Sequence, residues 1–178
     1  MKNNTKRVAL FASLVGIMAA TLECAKLALA AIPNVEAVTL LIAVYSYVFG
    51  FMGVLAAIVF VMIEPLIFGF GTWIISYFIY WPLVAVIFML IGKRGTKSRV
   101  FLTGAAALLT VFFGVLTSLV DTGLFSGSFD NFFYRFGIYY IRGIWFYISQ
   151  LVTNLILFPL LFPPFTELLF KIKGRLHI

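Results

Sequence analysis

Six apolar runs, each cut off from the next by glycine, proline or charge, govern what this chain can fold into. A helix that crosses about 30 Å of hydrocarbon needs about 20 mostly apolar residues. The first run extends from Val8 to Ile32, interrupted only by Glu23 and Lys26 near its far end, and Pro33-Asn34 closes it. The second covers Ala37 to Phe49, and Gly50-Phe51-Met52-Gly53 reads as a tight turn. The third covers Val54 to Phe68, closed by Gly69-Phe70-Gly71. The fourth is Trp73 to Ile91, the fifth Val100 to Val120 and the sixth Tyr139 to Phe162, with Pro159, Pro163 and Pro164 marking its end. Runs two and three span only about 20 Å each as helices. An irregular pair is expected there, its non-helical backbone facing protein or a cavity. The expected fold is one all-α integral membrane domain over residues 1–178, with six transmembrane helices.

Composition excludes the alternatives. Of 178 residues, 63% are hydrophobic and 11% charged, with a mean hydropathy of +1.13. Soluble domains are about 45–50% apolar and about 25% charged, and a fold of this size cannot hide the excess. A soluble enzyme, a disordered chain and a secreted disulfide scaffold are therefore ruled out. The single cysteine, Cys24, has no internal partner, and with the single histidine, His177, it makes no metal-ligand set.

The net charge of +7 would suit nucleic acid, but its distribution follows membrane topology instead. Cytoplasmic loops collect Lys and Arg. Lys2, Lys6 and Arg7 precede run one, Lys93, Arg94, Lys97 and Arg99 fill the loop between runs four and five, and Lys171, Lys173 and Arg175 form the tail. In a six-span chain these three places share one side, which puts both termini in the cytoplasm. Glu36, Glu64, Asp121 and Asp130 fall on the other, with Arg135 and Arg142. A competing reading takes the N-terminal run as a signal peptide cut after Ala28-Leu29-Ala30. The run is long for that, and its loss would spoil the charge pattern.

Four features bear on function. Ala12, Gly16, Ala20, Cys24 and Ala28 make a row of small residues at spacing four. Such rows let helices approach closely in lipid, either within the chain's own bundle or against a separate membrane protein. Glu23 and Lys26, at i, i+3, are expected to neutralise each other. Run four opens with Trp73, Tyr77, Tyr80 and Trp81 on one face. An interfacial belt accounts for Trp73, whereas Tyr80 and Trp81 lie deeper and suit a ring-bearing ligand. Run six carries Tyr139, Arg142, Phe146, Ser149, Gln150, Thr153 and Asn154 as a polar stripe. Its polar groups predict a cavity or bundle core, since lipid exposure would be costly. Asn34, Glu36, Glu64 and the aromatic stretch from Asp121 to Tyr140 are expected to close over that cavity. Gly92-Lys93-Arg94-Gly95-Thr96-Lys97-Ser98 lacks the glycine spacing of a phosphate-binding loop, and no catalytic constellation appears.

Several short motifs resemble the substrate-binding S-components of energy-coupling factor (ECF) vitamin transporters. Pro33-Asn34-Val35-Glu36-Ala37-Val38-Thr39 is similar to their P-N-x-x-x-V-T segment, and Phe49-Gly50 with Gly53 to the turn between their second and third helices. Gly69-Phe70-Gly71-Thr72-Trp73 resembles the entry to their fourth helix. Arg142-Gly143, Asn154 and Pro159-Leu160 resemble their sixth. The resemblance implies a non-enzymatic bacterial plasma-membrane protein without a cofactor, which holds a vitamin or related micronutrient near the outer face. It implies docking through Ala12, Gly16 and Ala20 onto a transmembrane coupling subunit driven by two cytoplasmic ATPases. Relatives carry Asp and His in the sixth helix where this chain has Phe146 or Tyr147 and Ser149 or Gln150. The cobalamin-type subgroup is nearest, with pantothenate, folate and riboflavin types open. The rival class is a non-transporting membrane scaffold of the MreD cell-shape type, which would need the small-residue face but no polar cavity.

Overall fold

The computed structural model describes residues 2–32, 35–125, 127 and 129–176. Asn34 and His177 lie outside the described residues. Six helices form in chain order: α1 (Lys2–Leu29), α2 (Val38–Phe49), α3 (Phe51–Phe68), α4 (Trp73–Lys93), α5 (Arg99–Phe125) and α6 (Phe132–Leu176). No strand occurs among the described residues. Five of these helices are long and apolar enough to cross a membrane, and α2 is shorter. Several such helices mark a multi-pass membrane protein.

Three expectations are corrected. The turn between α2 and α3 is Gly50 alone, held at φ 63°, a left-handed conformation that glycine adopts without steric cost. Residues 51–53 join α3, which thereby reaches 18 residues, and neither α2 nor α3 is irregular. The sixth helix does not stop at its prolines. It continues through Pro159, Pro163 and Pro164 to Leu176, because each proline removes only one intrahelical bond and the apolar surroundings disfavour opening more backbone. The stretch from Asp121 to Tyr140 is no lid. Its first residues end α5 and its last begin α6, and Phe129, Phe133 and Tyr134 point outward.

The core runs through α2, α3 and α4, with α6 closing one side. Close packing of α2 against α4 depends on Gly92, where a Cβ would collide with the Tyr47 carbonyl. The buried positions of α6 are Gln150, Asn154, Phe158, Phe162 and Thr166. That spacing of four is the ridge along which helices interdigitate. At one end of the bundle Phe88, Phe158 and Phe162 pack with ring centroids 5.6–5.9 Å apart, and Tyr47 meets Phe162 edge-on at 5.3 Å. Below this cluster Tyr47 donates to the Thr96 carbonyl at 3.0 Å, and Lys173 to the Val48 carbonyl at 2.7 Å. The basic loop and the basic tail therefore meet at this end.

Candidate functional site

At the opposite end, where α1 gives way to α2, a cavity of about 320 Å³ opens. Small-ligand sites begin at about this size. Its walls are apolar and aromatic, with Tyr77 and Trp81 from α4, Phe113 from α5 and Phe146 from α6. The rings support one another: Tyr77 meets Trp81 edge-on at 5.6 Å and Phe113 lies 6.2 Å from Phe146.

The polar side is built around Glu36. This residue precedes α2, where unpaired amides and the helix dipole favour a carboxylate. The Thr39 amide donates to Glu36 Oε2 at 2.9 Å, and the Thr39 hydroxyl to Oε1 at 2.5 Å. From α6, Gln150 Nε2 and Asn154 Nδ2 donate to Oε1 at 3.3 and 3.4 Å. Asn154 is held in turn by the Thr110 hydroxyl of α5 at 3.0 Å. Two helices thus converge on the carboxylate of one loop residue, and a third, α5, holds one of its donors. Gln150 Oε1 and Trp81 Nε1 are buried without a hydrogen-bond partner among the described residues. Such groups are costly to leave unpaired in a low-dielectric interior.

Lys26 forms the remaining polar wall. The expected pairing with Glu23 does not form: Lys26 makes an ion pair with the fully buried Glu64 of α3. Its ammonium also stands 4.3 Å from the Phe68 ring centroid and 5.1 Å from that of Tyr77, within the range of cation–π attraction. Glu23 is buried beside this pair and interacts with both Glu64 and Lys26.

Of the residues singled out from sequence, Glu36, Tyr77, Trp81, Phe146 and Gln150 line the cavity, and Asn154 anchors its polar wall. Glu64 lies behind that wall as the partner of Lys26, so it does not close over the space. Trp73 packs edge-on against Tyr77 at 4.9 Å, outside the lining. Tyr139 and Arg142 are not brought there. Arg142 is exposed and Tyr139 half-exposed. The Thr153 hydroxyl is turned back on α6 itself, donating to the Ser149 carbonyl at 2.8 Å. Sequence reasoning missed Lys26 as a wall, and Phe113 and Thr110 altogether. Lys26 was legible as a charge in an apolar run. Phe113 and Thr110 carry no signal, because a phenyl and a self-bonded threonine are ordinary in a membrane helix.

The small-residue row of α1 faces outward. Ala12, Gly16, Ala20, Cys24 and Ala28 are all exposed, and a Cβ on Gly16 would meet no atom within 4 Å. Packing within the chain's own bundle therefore does not account for the row. Comparisons with protein-family models, curated proteins and solved structures find no match to this chain.

Proposed function

We propose that this chain is the membrane-embedded substrate-binding subunit of an ECF-type transporter, which takes up a vitamin or related micronutrient. The observation that carries this reading is the cavity itself. Aromatic walls and a four-donor carboxylate converge at one end of the bundle, whereas the space of about 340 Å³ at the basic end, lined by Tyr47, Lys97, Arg99 and Phe162, has no such polar centre. A scaffold of the cell-shape type gains nothing from buried polar groups lining a space. The volume suits a substrate of one or two fused rings, and a corrinoid exceeds it, so the cobalamin type falls behind the smaller vitamins.

In this reading six segments cross the plasma membrane of a bacterium, with both termini and the basic loop inside and the cavity opening outward. The positive-inside rule supports that orientation, since the basic loop and tail lie at the end remote from the cavity. The chain does no chemistry; it binds and is carried. The exposed row of Ala12, Gly16 and Ala20 serves as the docking face for a transmembrane coupling subunit, which two ATPase subunits drive.

Two experiments test the reading. A thermal-shift panel of vitamins on the detergent-purified chain should show one compound that raises the melting temperature; no shift across the panel would favour the scaffold. Gly16→Leu places a branched side chain on the exposed row. It should abolish cellular uptake and leave ligand binding intact; assembly with the coupling subunit despite the substitution would place docking elsewhere.

A further inference from the structure

The charge and donor pattern of the cavity specify more than its size. One ammonium, Lys26, and three carboxyl groups, Glu23, Glu36 and Glu64, gather at this end. Lys26 is committed to Glu64. Glu36 is held only by neutral donors, from Thr39, Gln150 and Asn154, and has no ion-pair partner among the described residues. A half-buried carboxylate so placed favours a cationic partner and repels an anionic one.

The free atoms are mostly acceptors. A carboxylate only accepts, so the Gln150 amide must turn its NH₂ toward Glu36. That leaves Gln150 Oε1 unpartnered although the residue is only 2% exposed. Glu36 Oε1 takes three donors, and Oε2 takes one, which leaves Oε2 with capacity for another. Glu36 and Gln150 both line the cavity, and spare acceptor capacity on both residues matches a ligand that offers N–H groups. The buried, unpartnered Nε1 of Trp81 is one donor beside these acceptors. The ring walls select a flat ligand.

We infer that the cavity takes a planar amino-substituted nitrogen heteroaromatic, cationic or bearing paired N–H donors, seated with those donors on Glu36 Oε2 and Gln150 Oε1. This rests on the substrate-binding reading above and narrows it. Ligands whose recognised end is a carboxylate are disfavoured, and so are rings presenting carbonyls where these donors would be.

Three probes of matched size separate the possibilities: 2,4-diaminopteridine, its dioxo counterpart lumazine, and pterin-6-carboxylate. Calorimetric titration of each into the full-length chain in nanodiscs should rank the diamino compound first. Its margin over lumazine should be about 10- to 100-fold, the size expected for hydrogen bonds to a charged group. Glu36→Gln should erase that margin, and Gln150→Met should reduce it. The melting temperature of each unliganded variant, measured alongside, separates a lost site from a lost fold. Tighter binding of lumazine or the carboxylate overturns the inference, as does a margin that survives Glu36→Gln in a folded protein. If none of the pteridines binds while a vitamin of the thermal-shift panel does, the ligand class is wrong and the substrate-binding reading stands. If nothing binds in either experiment, both fall.

Discussion

The two halves of one ridge on α6 differ in what they are made of. Gln150 lines the cavity and Asn154 anchors its polar wall, whereas Phe158 and Phe162, one and two turns further on, pack in the ring cluster toward the basic end. Both pairs are buried. The phenyl half needs no explanation beyond packing, which is the main attraction available between helices in lipid. The amide half is a poor way to fill space, since Gln150 Oε1 and Asn154 Oδ1 stay unpaired. A bundle designed only to fold would continue the phenyl pattern upward. On the proposed function, the contrast separates residues that hold the bundle together from residues whose arrangement serves a ligand.

Substitutions along and beside this ridge sharpen the contrast. The largest effect on stability should come from Phe158→Ala, which opens the ring cluster. Large-to-small core changes of this kind cost about 3–5 kcal/mol, read as a marked fall in detergent melting temperature. Gln150→Leu should do the reverse. It removes a buried polar group with an unpartnered oxygen and leaves the melting temperature unchanged or raised, but weakens ligand binding about 10- to 100-fold, as expected for lost hydrogen bonds to charge. Equal destabilisation by both substitutions would erase the distinction between the two halves. Thr110→Val acts one step removed, by releasing Asn154 from its 3.0 Å anchor. A neutral hydrogen bond is worth about 1 kcal/mol, so affinity should fall about fivefold, with little change in the apparent enthalpy of unfolding. Arg142→Ala should be the smallest, leaving affinity and melting temperature unaltered, because that side chain is exposed.

Much of this arrangement was legible in the chain. Amides at 150 and 154 and a phenyl at 146, in an otherwise apolar run, mark one helix face, and Glu36 stands out as a charge at the entry to the second run. Arg142 and Tyr139 misled for geometric reasons. At 100° per residue, Arg142 is turned about 80° from Gln150. Tyr139 shares the face of Gln150 but stands about 16 Å further along the helix, beyond the reach of the cavity. The partner of Lys26 was hidden, because spacing within α1 favours Glu23 and only tertiary packing brings Glu64 of α3 to it. The length of α6 was hidden too. Pro163-Pro164 is a strong stop signal in water and a weaker one where exposed backbone has no solvent to bond.

The central claim is that the polar half of the α6 ridge exists to hold a small molecule. Native mass spectrometry of the full-length chain, purified gently from cells grown in rich medium, tests it most directly when wild type and Gln150→Leu are compared. The account predicts a retained small molecule on the wild type and its loss from the folded variant. A wild-type chain that emerges bare, or a molecule retained equally by both, would contradict it.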